Sequence, residues 1–287
     1  MAAALCRLGM FEASLMSKLA VNTSAGFDRV NLHAFSTFGA VNYFTALTGW
    51  LDPGERALIE AAAAGMDRPR VLDIGVGGGR TVPMMQAIAG DYLAIDMAPR
   101  LIEVCRRLHP GTDVREMDAR AMSLGDDAFD LVTFSYNGLD AVPLPDRDQV
   151  LAEVARVTRA GGVFAFSSLN RDGPGFAERF ALATPRPGRP RLMEAARMVA
   201  KAGVGYYNYR KNQRYRTDGR DFAVSISSAH NYGVVAIFAS LTAQVAALIR
   251  HGFVVEQVFS NLDGASLPLD RNDSDAIWLH YLARRAK

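Results

Sequence analysis

The chain has 287 residues, with 32 Lys and Arg against 30 Asp and Glu, and 49% of its residues are hydrophobic. Length and balance fit one large domain or two small ones around a sizeable core. The two cysteines, Cys6 and Cys105, speak against a disulfide framework or a metal site, and no apolar run is long enough to span a bilayer. The expectation is a cytoplasmic protein with no metal and no membrane partner.

In chain order, residues up to about Ser24 show no strong pattern and are expected to form an arm or a covering helix. Asp52-Pro53-Gly54-Glu55 opens a helix: an acid at the cap, proline in the first position, and glutamate three residues after the cap. Arg70 to Ile74 is a short apolar run before glycines, hence a buried strand. A helix is predicted from about Gly79 to Ala89, then a strand from Tyr92 to Ile95 and a helix from Pro99 to Leu108. Strands follow at Val114 to Met117 and Phe129 to Phe134, a helix at Val150 to Val157, and a strand at Gly162 to Phe166. This alternation calls for a parallel sheet with helices on both faces.

The alternation breaks between Asn170 and about Ser240. That stretch holds a basic helix (Leu192 to Tyr209) and a hairpin (Phe222 to Ile226 with Val234 to Phe238). A helix from Leu241 to Ile249 and strands at Phe253 to Phe259 and Ala276 to Leu282 close the chain, joined by a turn at Asn261-Leu262-Asp263-Gly264. The expected fold is α/β: a doubly wound, seven-stranded, mostly parallel sheet with an antiparallel last strand. An N-terminal helical segment and a helix/β-hairpin insert before the last helix complete it. Four regions result: an arm or lid over 1–50, a cofactor core over 51–170, a substrate-covering insert over 171–239, and the end of the core over 240–287. Between Arg171 and Arg220 there are 12 Lys and Arg against 4 Asp and Glu. Such a patch attracts an anionic substrate, a nucleic acid or a membrane surface, or is a solvated helix face.

Asp73-Ile74-Gly75-Val76-Gly77-Gly78-Gly79-Arg80 turns from strand to helix on bare backbone, which lets a nucleoside approach the carboxyl edge of a sheet. The spacing of Gly75, Gly77 and Gly79 differs from a dinucleotide fingerprint, whose last position is held here by Arg80. Asp73 is placed to meet the ammonium of an amino-acid ligand. Asp96, at the tip of the second strand, is placed to accept from a ribose diol. Asp118, after the third strand, is placed to accept from an adenine amino group.

Together, residues 71–170 resemble the cofactor half of the class I S-adenosylmethionine-dependent methyltransferases, of the bacterial small-molecule type. Phe134-Ser135-Tyr136-Asn137-Gly138 matches the family's fourth-strand region, and Ala160-Gly161-Gly162-Val163 its turn into the fifth strand. The resemblance implies S-adenosylmethionine as donor, with S-adenosylhomocysteine as product. It places the glycine loop under the methionine, Asp96 with Met97 at the ribose, and Asp118 with Ala119 around the adenine. Ser135 and Tyr43 join the cofactor set; Tyr136, Asn137, His33, His230 and Tyr207 are expected at the substrate. His230 and Tyr136 are the expected catalytic pair. Ser135-Tyr136-Asn137 departs from the acidic-or-Asn, Pro-Pro, aromatic sequence associated with base-amino or glutamine methylation.

The expected reaction is methyl transfer to oxygen or nitrogen, less so carbon or sulfur, of a small molecule, by a monomer or homodimer. An RNA or protein methyltransferase that docks through the basic insert ranks below it, since no RNA-binding module is visible. An NAD-type oxidoreductase conflicts with Arg80, and a non-catalytic nucleoside-binding protein remains compatible with the fold.

Overall fold

Apolar runs bounded by glycine and proline become strands, and the helices between them bury one face each. The computed structural model describes residues 24–177, 179–181 and 192–287; the N-terminal arm expected before Ser24 lies outside them. The elements are helix α1 over 24–35, α2 (Phe38–Ala46), α3 (Pro53–Ala63), β1 (Arg70–Ile74), α4 (Val82–Ile88), β2 (Asp91–Asp96), α5 (Pro99–Leu108), β3 (Asp113–Glu116), β4 (Phe129–Phe134), α6 (Arg147–Val157) and β5 (Thr158–Leu169). After them come α7 (Leu192–Asn212), β6 (Phe222–Ser227), a four-residue α8 (Ala229–Tyr232), β7 (Val234–Ala239), α9 (Leu241–Arg250), β8 (Phe253–Ser260) and β9 (Trp278–Arg285).

The main sheet has seven strands in the order β3-β2-β1-β4-β5-β9-β8, and β9 runs against both of its neighbours. This is the doubly wound, mostly parallel sheet that the alternation predicts. Its order reverses between β1 and β4, and ligands of such sheets bind outside the carboxyl ends of the strands at that point. Leu72, Ile74, Ile95, Val132, Phe164 and Phe166 form the centre of the larger core, and Leu58, Val71, Met85 and Leu131 belong to the core on the other side.

Several boundaries differ from expectation. α4 starts at Val82 rather than Gly79, because Gly77 and Gly79 hold positive φ and keep the loop out of the helix. β5 begins at Thr158, and Gly161 at φ +74° accommodates its irregular pairing with β4. β9 begins at Trp278, and the connection from β8 is a long loop rather than a four-residue turn. The Asn261 side chain holds that loop by accepting from the backbone N–H groups of Ile277 and Trp278 at 3.0 and 3.3 Å.

The insert forms a two-stranded antiparallel sheet, β6 with β7. It is anchored at the carboxyl end of β5, where Arg171 N donates to Ala239 O at 2.9 Å. Helix α1 docks on it through Asn31, whose Nδ2 donates to Val235 O (2.8 Å) and Ala141 O (3.1 Å) while its Oδ1 accepts from Val235 N (2.9 Å). Phe27, Ala34, Val224 and Val235 fill the space between helix and hairpin. Helix and hairpin therefore cap the carboxyl edge of the main sheet.

Candidate active site

β1 delivers the chain into the glycine loop at the edge of the sheet. Gly75 and Gly77 have φ of +67° and +56°, a conformation that side-chain-bearing residues adopt at a cost. A Cβ on Gly75 would lie 2.7 Å from the Phe134 ring, whereas one on Gly77 would meet nothing closer than 4.0 Å. The loop is packed from below at Gly75 and bare at Gly77. Gly77 N donates to Asp96 Oδ2 at 2.8 Å and Ala98 N to Asp96 Oδ1 at 2.7 Å, so the acid at the tip of β2 is fixed in orientation. Asp96 is 8% exposed. Burial pushes its pKa up, against the backbone donors that favour the carboxylate.

The loop borders a cavity of about 1080 Å³ that runs from the sheet edge to the insert. Gly75, Gly77, Asp96, Met97, Asp118 and Ala119 line one end of it. Ser135, Tyr136, Asn137, Tyr43 and His230 line it as well. Four expected site residues do not. Asp73 is 1% exposed and lies under the loop, where it accepts from Thr81 Oγ1 (2.6 Å), Tyr92 OH (2.9 Å) and Thr133 Oγ1 (2.9 Å). Through these bonds it ties β1 to β2 and β4. Gly79 turns toward His109 and Cys105 rather than the cavity. His33 is exposed on α1, and Tyr207 is 64% exposed on α7, away from the lining.

Tyr136 is the centre of the middle of the cavity. It and Asn137 have φ of 55° and 61°, which turns the chain sharply out of β4, and Asn137 N donates to Ser167 Oγ at 2.8 Å. The Tyr136 hydroxyl lies 2.6 Å from that of Tyr43 on α2. Its ring is edged by Trp50 and Trp278 and lies over the Arg80 guanidinium, 4.9 Å from the ring centroid. Arg80 in turn forms a buried two-pronged pair with Glu55, at 2.7 and 2.6 Å. The glutamate three residues after the helix cap thus holds the arginine of the glycine loop rather than its own helix terminus. The cap itself is as expected: Asp52 accepts from Glu55 N at 2.9 Å.

His230 occupies the roof. Its ring lies 5.3 to 5.9 Å from those of Phe35, Tyr43 and Phe44. Burial pulls its pKa below the ordinary histidine value, so the neutral imidazole is favoured. His230, Asn231 and Tyr232 have φ of 51°, 57° and 58°. Two asparagines of α7 prop up this run: Asn208 Nδ2 donates to Asn231 O at 3.0 Å and Asn212 Nδ2 to Tyr232 O at 3.1 Å.

At the cradle end Asp118 pairs with Arg120 at 2.8 Å, and Arg120 also holds Asp28 of α1 (2.7 Å) and Asp146 before α6 (2.8 Å). Burial raises the Asp118 pKa, but the Arg120 hydrogen bonds and charge outweigh it and keep the carboxylate ionised. The described part of the basic insert does not form a cationic wall. Among the described residues only Lys201 of its Lys and Arg lines the cavity, and Arg171 pairs with Asp218 at 2.6 Å.

The sequence alone marks none of Trp50, Trp278, Arg120, Asp28 and Asn31 as site residues, marks Glu55 only as part of a helix start, and marks Arg80 only as a departure from the dinucleotide fingerprint. The usable signals were an arginine directly after the glycines and one directly after Asp118-Ala119; both needed a partner distant in sequence.

A bare glycine turn, an oriented acid on the next strand and a capped cavity at the switch point mark a doubly wound fold built to hold a nucleoside. Residues 71–162 match the methyltransferase domain family. The ubiquinone biosynthesis O-methyltransferase of Xanthomonas oryzae is 34% identical over 112 residues, covering 38% of this chain and 46% of that protein. The phosphatidylethanolamine N-methyltransferase of Cereibacter sphaeroides is 37% identical over 121 residues, covering 40% of this chain and 58% of that protein. The chain thus spans about half the length of the curated relatives it matches. The crystal structure of an S-adenosylmethionine-dependent methyltransferase from Mesorhizobium loti superposes with a TM-score of 0.53 at 22% identity, over 81% of this chain and 98% of that one, and shows the same fold. Residues 71–162 thus match a methyltransferase domain, and the fold of the chain is that of solved S-adenosylmethionine-dependent methyltransferases. Among the described residues, no helix is long and apolar enough to cross a membrane, and no group of three or more His, Cys, Asp or Glu is placed to hold a metal.

Proposed function

We propose that this protein transfers a methyl group from S-adenosylmethionine to an oxygen or nitrogen of a small molecule. One observation carries the reading: Gly77 and Asp96 open onto the same capped cavity as Tyr136, Tyr43 and His230. The open face of Gly77 leaves room for a ligand against the loop, and Asp96 offers oriented acceptors to a ribose diol. Met97, Asp118 and Ala119 would frame the rest of the nucleoside, and Ser135 and Tyr43 would border the methionine. When bound, the cofactor supplies a methyl group already activated by a sulfonium.

The chain's own task is to hold the acceptor atom in line, within about 3–3.5 Å, and to exclude water. The cap of α1 and the β6–β7 hairpin serves exclusion. The paired hydroxyls of Tyr43 and Tyr136 orient the acceptor, and the neutral ring of His230 can accept its proton. A capped chamber suits a small molecule better than RNA or a protein. The relatives named for O- and N-methylation support oxygen or nitrogen as the target.

Calorimetry with S-adenosylmethionine tests this. Asp96→Ala is expected to weaken binding roughly 10- to 100-fold, the loss of hydrogen bonds to a charged group. Asp96→Asn is expected to lose less. Unchanged affinity in Asp96→Ala would overturn the placement of the cofactor. Incubation with labelled donor and a metabolite extract would then identify the acceptor.

A further inference from the structure

The cavity is larger than the cradle at its sheet end. It continues under the insert, where Leu169, Val142, Val234, Ala236, Phe238 and Ile277 line it. Among the described residues its ionisable lining residues are Asp28, Asp96, Asp118, Arg120, Lys201 and His230, with the phenols of Tyr43 and Tyr136. Their distribution is uneven. Asp96 sits at the glycine loop, and Asp28 and Asp118 are bound to Arg120, whose charge is already matched by three carboxylates. Among the described residues that leaves the insert end with His230 and with Lys201, which is exposed on α7.

Some of the polar groups at that end are committed to the protein itself, while Ser228, Asn231 and Asn137 Oδ1 leave a few hydrogen-bonding positions for a ligand hydroxyl. Asn31 is used by the Val235 and Ala141 backbone, and Ser227 Oγ accepts from Ala229 N at 3.2 Å. A chamber of this kind returns little of the hydration that a charged or heavily hydroxylated ligand would lose. It rewards apolar surface at about 25 cal/mol per Å² removed from water. The aromatic side chains of Phe35, Phe44, Trp278 and Tyr136, all on the lining, add flat faces and edges suited to a ring.

We propose that the acceptor is an uncharged, ring-containing hydroxy compound whose apolar body packs under the β6–β7 sheet and whose hydroxyl meets Tyr136 and His230. The inference rests on the methyltransferase reading and names its substrate class. It also reverses the expectation of an anionic acceptor drawn from the basic insert. In the transfer, the acceptor oxygen forms a bond to the methyl carbon as the carbon–sulfur bond breaks and leaves its electron pair on sulfur. The hydroxyl proton passes to the imidazole of His230 and from there to water. A neutral imidazole suits a weakly acidic hydroxyl, which needs to lose its proton to become a good nucleophile.

The test is calorimetric titration of two probes into protein saturated with S-adenosylhomocysteine: 2-naphthol and its carboxylated analogue 3-hydroxy-2-naphthoate. Binding of S-adenosylhomocysteine is measured first and by itself. The naphthol is expected to bind at least tenfold more tightly than the carboxylate. Ile277→Asp, which adds a charge on the rim of the apolar end, is expected to weaken naphthol at least tenfold and leave S-adenosylhomocysteine affinity within twofold. Leu169→Asn provides the same comparison should the first variant fold poorly. Equal or tighter binding of the carboxylate would overturn the inference and point to Lys201 and an anionic acceptor. Normal S-adenosylhomocysteine binding with no naphthol binding would overturn it while sparing the methyltransferase reading. Failure to bind S-adenosylhomocysteine would bring down both.

Discussion

His230 holds a conformation that costs of the order of 1–3 kcal/mol for a residue with a side chain, and Asn231 and Tyr232 hold it too. The strain aims one ring into the cavity, and burial keeps that ring neutral. The pH consequence has a definite sign. A histidine whose folded pKa lies below its ordinary 6.5 contributes stability that is present above 6.5 and lost as pH falls through the folded value. The same proton removes the lone pair that would receive the acceptor's. kcat/KM is therefore expected to fall on an acid limb with its midpoint below 6.5. His230→Gln should lower kcat by about 10²-fold and flatten that limb. A limb that persists in the variant would assign the titration to another group. At this scale the sequence was partly legible. That Asp96, Tyr136 and His230 share one cavity follows from their places at strand tips and in an insert turn along the carboxyl edge. That Asp73 lies off the cavity lining was not legible from position alone, since side chains of a strand alternate between faces and Thr81, Tyr92 and Thr133 bond its oxygens beneath the loop.

Among the elements, α1 matters most for the cap. Its Asn31 imitates an edge strand by both giving to and taking from Val235. Asn31→Ala should leave those buried backbone groups unpaired, at a cost of about 1–3 kcal/mol. Amide hydrogen exchange over 234–238 is expected to speed up, and turnover is expected to fall before cofactor affinity does. Unaltered exchange would show that packing alone holds the helix to the hairpin. The strands of sheet and hairpin were legible because apolar runs between glycines and prolines admit few other structures. The dock of α1 was not, because Asn31 and Val235 are 204 residues apart and no periodicity links them. The long loop before β9 was misread for a related reason. Asn261 and Gly264 mark a turn, but a side-chain bond to Ile277 and Trp278 decides where the chain next joins the sheet.

For the whole molecule, the doubly wound sheet supplies the rigid floor and the α1–hairpin pair the roof. A ligand that binds only the folded state adds stability by mass action. S-adenosylhomocysteine at about 100 times its Kd should add roughly 2.7 kcal/mol, and raise Tm by about 5–10 °C. NAD at the same concentration should leave Tm unchanged; the opposite pattern would favour an oxidoreductase. Arg120 joins the floor to the roof, since one guanidinium holds Asp118 beside the cradle and Asp28 on α1. Occupancy at one site and posture at the other thus share a single mechanical element. By thermodynamic reciprocity, whatever factor the donor contributes to settling the roof over an acceptor, the acceptor returns in full as tighter grip on the donor.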